Sequence, residues 1–168
     1  MQIKMNDKRQ EVLKYFDAFA KIEAETTYGI SERGLYYFEI EKYQQHDENR
    51  NWIITKVQIF DMEKAICLFE YLTDHDDENF AWITIKDIEY LIYPEFLGGY
   101  SLFDTSTLQL HSYYNENDAF IWQNIYFNPE KNQLIVEGNY WACPSERIIY
   151  DCKNITQLPY PILERFYL

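Results

Sequence analysis

The residues able to do chemistry are few, and their spacing points to no single reaction. Glu39 and Glu41 alternate with Phe38 and Ile40. A strand would set both carboxylates on one side, as an acid–base pair or as the wet face of a half-buried strand. Two of the three histidines sit in similar acidic phrases, His46-Asp47-Glu48-Asn49 and His75-Asp76-Asp77-Glu78-Asn79, and the third is His111. Such phrases invite a metal, but no spacing puts two histidines on one face. The Ca²⁺ loop pattern with its central Gly is also missing. Cys143 is the candidate nucleophile. A reactive thiol needs a base or a positive neighbourhood, yet only Arg147 lies close by in sequence. Cys143 therefore reads as part of a hairpin tip shaped by Pro144 and packed by Trp141. No Gly-rich phosphate loop, G-x-S-x-G elbow or H-E-x-x-H is found. The expectation is a non-enzymatic protein that needs no cofactor and no metal.

Charge says more about partners. The 168 residues carry 28 acids against 15 Lys and Arg, a formal net charge of −13. That balance disfavours nucleic acid and anionic membrane surfaces and favours a basic partner. No Lys or Arg occurs between Lys86 and Lys131, a span that holds Asp87, Glu89, Glu95, Asp104, Glu116, Asp118 and Glu130. The acidic run Asp74-His75-Asp76-Asp77-Glu78 comes just before it. Aromatics make up 18% of the chain, with 16 Tyr and 11 Phe. They suit both the covering of β-sheets and a sticky surface.

Three cysteines, with no C-x-x-C pair, imply reduced thiols. Cys67 lies in an apolar run and reads as a core residue. Residues 1–9 hold charges and no apolar core of a signal peptide, and no stretch approaches the roughly 20 apolar residues of a membrane helix. The expected location is the cytoplasm.

The elements that must position these residues are mostly strands. Val12, Leu13, Phe16, Phe19 and Ala20 recur at helical spacing, which predicts an amphipathic helix over 7–24, capped by Asn6 or Asp7 and packed on a sheet. Beyond it the pattern changes to strands over 35–43, 52–60 and 65–72, with 44–51 a loop. Two further units follow, with strands at 80–86, 89–94, 98–103 and 108–114, then 120–127, 133–139, 146–151 and 155–159. Asn128-Pro129-Glu130-Lys131-Asn132 is a hairpin turn.

One phrase recurs. An apolar strand ends in an aromatic residue, then Asp, then a polar turn, at Phe60-Asp61, Phe103-Asp104 and Tyr150-Asp151, with Asp spacings of 43 and 47 residues. Trp82 and Trp122 are 40 apart and in phase. Such a period suggests stacked, propeller-blade-like sheets. The Asp residues read as turn formers and not as a catalytic set. Within this frame the segment Val136-Glu137-Gly138-Asn139-Tyr140-Trp141-Ala142-Cys143-Pro144-Ser145-Glu146-Arg147 resembles one found in uncharacterised bacterial proteins with propeller-like repeats. Their pattern is roughly G-C-Y-W-x-C-P-Y-E before a strand ending in Tyr-Asp. Here Asn139 replaces the first Cys and Ser145 the aromatic residue. The resemblance covers about 120–160, with a weaker extension back to about 57, and implies no activity.

The reading is a mainly β protein with a small α part, in one domain over 1–168. It has an N-terminal helix and blade-like units at about 35–72, 80–114 and 120–160. Three blades are too few to close a ring, so the fold must stay open, be capped by the helix, or be completed in a homodimer. The leading functional expectation is an acidic binding module for a basic protein, such as an immunity or inhibitor protein that neutralises a toxin or defence enzyme. Candidate contact residues are Asp74, Asp76, Asp77, Glu78, Glu95, Tyr113, Tyr114, Glu116, Asp118, Tyr140 and Trp141. The alternative is a small-molecule binding protein or enzyme with an aromatic-lined pocket. A DNA mimic ranks third, because no long acidic helix is present to space carboxylates like phosphates.

Overall fold

The computed structural model describes residues 2–16, 18–47, 50–74, 79–95, 98–141 and 143–168. They form one α-helix, one short 3-10 turn and thirteen strands, all in open antiparallel sheets. The chain divides into two compact units, Asn6–Glu78 and Met1–Met5 with Asn79–Leu168.

The first unit is a five-stranded sheet built from β1 (Ala20–Lys21), β2 (Thr27–Ile30), β3 (Tyr36–Asp47), β4 (Arg50–Asp61) and β5 (Cys67–Thr73). The long β3–β4 hairpin is its spine, with Ile40 opposite Val57 and Glu41 opposite Lys56. Strand alternation then sorts the two faces. Ile40, Thr55, Val57, Ile59 and Thr73 are buried on one. The other carries a charged row across four strands. Lys21 of β1 pairs with Glu41 of β3, and Lys56 of β4 lies 3.4 Å from Glu70 of β5. Beside this row Tyr37 stacks on Phe60 at 4.6 Å.

The helix, α1, spans Gln2–Phe16, earlier and shorter than the periodicity predicts. Ala20 and Lys21 leave the helical pattern to pair with Gln44 and Tyr43. The charge–charge contact of Lys21 with Glu41 is available only in that strand, so tertiary pairing overrides local spacing. Phe16 does reach the sheet, edge-on to Tyr43 at 4.7 Å. Leu13 stays 46% exposed, so the apolar stripe is only partly used.

The second unit consists of two four-stranded meanders. One runs β6 (Ala81–Ile85), β7 (Ile88–Pro94), β8 (Gly99–Asp104) and β9 (Gln109–Tyr114). The other runs β10 (Phe120–Asn128), β11 (Gln133–Tyr140), β12 (Ser145–Asp151) and β13 (Ile162–Tyr167). Their facing sides make one core, in which Ile83, Tyr90, Ile92, Tyr100 and Leu102 meet Phe120, Trp122, Leu134, Val136, Ile148 and Tyr150. Tyr100 is its hub, with ring centroids 4.8 Å from Trp122 and 5.7 Å from Tyr160. The Tyr100 hydroxyl accepts a hydrogen bond from the Tyr160 amide at 2.9 Å. The first meander is buried on its other face too, at Leu91, Tyr93, Ser101 and Phe103. That explains why 89–94 is almost continuously apolar in sequence.

The expected strand at 155–159 is not there. Residues 152–161 run irregularly through a cis Leu158–Pro159 bond, and the fourth strand starts at Ile162. Pro159 and Pro161 have no N–H to give a ladder. Ile155 and Tyr160 turn into the core instead. The loop expected over 44–51 is also mostly strand, since β3 continues to Asp47 and β4 begins at Arg50. Residues 48–49 lie outside the described set.

Asp61, Asp104 and Asp151 occupy matching places, each at the end of the strand that precedes the last strand of its sheet. Asp61 Oδ1 accepts the amides of Glu63 and Lys64 at 3.0 and 2.8 Å. Asp104 Oδ1 accepts those of Ser106 and Thr107 at 2.9 and 3.3 Å, and Asp151 Oδ1 accepts that of Lys153 at 3.1 Å. This is the turn-forming chemistry of Asx motifs. Cys67, read as a core residue, is exposed, and Cys152 is the buried thiol. Cys67 sits at the irregular start of β5, opposite Phe60, where the register slips.

Candidate functional site

Strand register brings three loops of the second unit to one end. Asn115, after β9, donates its amide to the Gly98 carbonyl at 2.8 Å, tying the β9–β10 loop to the β7–β8 turn. Gly98 is needed there: its φ is +83°, and a Cβ would meet the Asn115 and Asp118 carbonyl oxygens. The loop is pinned from within. Asn115 Oδ1 accepts the Asn117 amide at 3.1 Å, and Asp118 Oδ1 accepts the Phe120 amide at 3.1 Å. Phe120 then pairs with Tyr140, so the β11–β12 tip begins beside that loop. The tip is closed by the Cys143 amide on the Tyr140 carbonyl at 2.9 Å, and the Leu168 amide bonds Ser145 at 2.9 Å.

The result is an end with exposed apolar groups and acidic neighbours. Trp141 is 81% exposed and Tyr167 79%. Glu116 is exposed and Asp118 half-buried. Tyr140 is half-buried against Phe120, with ring centroids 5.2 Å apart. The Arg165 guanidinium lies over the Tyr140 ring at 5.8 Å and donates to the Tyr140 hydroxyl at 3.0 Å. It also lies 3.5 Å from Glu146 Oε2. Burial opposes the Arg165 charge, but Tyr140 and Glu146 outweigh it and hold the group above its ordinary pKa. Arg165 is therefore already engaged.

The expected contact residues divide accordingly. Glu116, Asp118, Tyr140 and Trp141 gather at this end. Tyr113 and Tyr114 are half-buried, and Tyr113 packs on Tyr100 at 5.5 Å as part of the core. Glu95, expected on the surface, is 5% exposed and accepts a hydrogen bond from the Ser101 hydroxyl, so it adds little to a surface field. Asp74 is exposed and follows β5 in the first unit. Asp76, Asp77 and Glu78 lie outside the described residues. Sequence reasoning missed Arg165, Tyr167 and Leu168, because it ended the last strand before them. The run Ile162-Leu163-Glu164-Arg165-Phe166-Tyr167 just after Pro161, rich in β-prone Ile, Phe and Tyr, was the available signal.

The other chemical candidates are accounted for. Glu39 and Glu41 do share one face. Burial alone would raise the Glu41 pKa, but hydrogen bonds from Lys21 and Tyr43 outweigh it and hold the carboxyl below its ordinary value. That is a fixed charge and a poor proton donor. Arg147 does not serve Cys143, since its Nε and Nη2 bond Glu137 Oε1 at 3.0 and 2.5 Å. Among the described residues no group of three or more His, Cys, Asp or Glu could hold a metal ion. Among the described residues no helix is long and apolar enough to cross a membrane. Compared with protein-family models and with curated proteins, the chain matches none.

Proposed function

We propose that this protein is a binding module that holds a basic partner protein, with Trp141 as its anchor. On this reading the three antiparallel sheets are blade-like repeats, and the insertions at one end of the second unit do the binding. The observation that carries it is Trp141, 81% exposed at a hairpin tip next to the Glu116–Asp118 loop. An exposed Trp with acidic neighbours combines a hot-spot side chain with electrostatic steering. The stretch from 87 to 130, free of Lys and Arg, adds to the field. An immunity or inhibitor protein that neutralises a toxin or defence enzyme in the cytoplasm fits this description. A Trp standing in solvent is a poor wall for a ligand pocket, which puts the small-molecule alternative second.

The test is affinity capture from the native host at low and high salt, with the parent, Trp141→Ala and Glu116→Gln/Asp118→Asn proteins. The expected result is a basic protein whose capture weakens with salt. The Trp variant should lose it by about 2 kcal/mol or more, as truncated anchors do. The acid variant should capture it more slowly, with less salt dependence. No partner, or one indifferent to salt and to Trp141, sinks the proposal.

A further inference from the structure

The last strand of the chain is an open edge of unusual composition. All six residues of β13 are exposed, including Ile162, Leu163, Phe166 and Tyr167. It pairs with β12 on one side and ends the sheet order on the other. Proteins guard such edges with charge, bulges or Pro. Here Pro161 and the register slip opposite Ile149/Tyr150 guard only the start of the strand. The 164–168 portion is left with one acid, one engaged Arg and apolar groups.

Charge distribution indicates what would cover it. The whole chain carries −13, yet residues 120–168 hold five acids and four bases, a net of −1. A basic partner gains least from this sheet, and a second copy meets the least repulsion there. Register narrows the geometry further. In a two-fold antiparallel pair, opposed residues share a face, so one residue must lie opposite its own copy. Centring on Glu164 or Arg165 opposes like charges. Centring on Leu163 uses Pro161 and the bulge. Centring on Phe166 sets Phe166 against Phe166 and Arg165 against Tyr167, and places Glu164 opposite Leu168. Arg165 already lies over one tyrosine ring, that of Tyr140, so a second aromatic partner suits it.

We propose that β13 is a homodimer interface, in which two copies pair antiparallel about Phe166 and join their β10–β13 sheets into one. This surface adjoins the Trp141 tip through Tyr167 and Leu168, but it is centred on Phe166 and does not rest on the partner reading.

Sedimentation across a concentration series tests it, with circular dichroism as the control for folding. A reversible dimer is expected, and Phe166→Lys should weaken it at least about tenfold by setting two like charges opposite each other. Trp141→Ala should leave it unchanged. In a Cys67→Ser/Cys143→Ser background, Phe166→Cys should cross-link on oxidation, since directly opposed Cβ atoms lie about 4.5–5.5 Å apart. Glu164→Cys should not, because its two copies would be roughly 13 Å apart along the strands. The Cys pair keeps the test open if the Lys variant fails to fold. A monomer at every concentration, a dimer indifferent to Phe166→Lys, or cross-linking at 164 in place of 166 overturns the proposal.

Discussion

The carboxylate at each of the three strand ends works as a turn acceptor. Asp104 is the most enclosed example, and its Oδ1 takes two backbone amides and the Ser106 hydroxyl. Asp104→Ala should cost roughly 1–3 kcal/mol in a denaturant titration, because those donors lose their partner. Burial would raise the Asp104 pKa, but the Ser106 and Thr107 hydrogen bonds prevail and hold it below the ordinary 3.8. Asp61 is likewise held low, chiefly by the Lys64 amide and ammonium. A depressed folded-state pKa gives stability that is fully present above the ordinary value and is lost as pH falls through the folded one. Acid unfolding should therefore become shallower in an Asp61→Asn/Asp104→Asn protein. An unchanged acid limb would show that other carboxylates control it. Thiols give a second check at this scale. Burial pushes the Cys152 thiol up to about 12, whereas Cys67 and Cys143 are exposed. A thiol reagent should titrate two cysteines in the native protein and the third only on unfolding.

At the scale of elements, the β6–β9 and β10–β12 meanders were legible to within a residue or so. Their strands are punctuated by Asn-Pro, Gly and Asp turn signals, and the hydrophobic pattern changes cleanly at each. Besides the 44–51 hairpin end, four things were not legible. The end of α1 was lost because Ala20 and Lys21 continue the helical spacing while gaining strand partners 22 or more residues away. The final strand was misplaced because Ile155, Leu158 and Tyr160 look strand-like, although Pro159 and Pro161 bar a ladder. Cys67 looked internal because its neighbours are apolar, but it lies at a register slip where alternation fails. Glu95 looked like surface acid, and only the fold reveals its Ser101 donor. Of the candidate site, Tyr140, Trp141 and the Glu116–Asp118 loop could be named from sequence, and their adjacency came from the Phe120–Tyr140 register. Gly138 bears on that register. It lies on β11 opposite Trp122, where a Cβ would strike the Ile121 carbonyl oxygen. Gly138→Ala should destabilise by about 1–3 kcal/mol through overpacking, and unchanged thermal stability would refute the close approach.

For the whole molecule, charge is the dominant fact. A net −13 on 168 residues implies self-repulsion in the folded state. The described ion pairs are mostly exposed, and such pairs contribute little each. Added monovalent salt should therefore raise the melting temperature as it screens repulsion over distances of about 10 Å at 0.1 M. A fall would mean that rows such as Lys21–Glu41 and Lys56–Glu70 outweigh the net charge. The same charge makes association with basic proteins fast at low salt, while the near-neutral sheet around β13 escapes that rule. The exposure of Trp141 also has an optical consequence. Of the four tryptophans, Trp82 and Trp122 are buried, and Trp52 and Trp141 are exposed. The chain thus contains its own fluorophore at the proposed binding end. Emission from Trp141 should be red-shifted and open to aqueous quenchers in the free protein. The difference spectrum between the parent and Trp141→Phe isolates it, so that covering the tip can be followed by light without any added label.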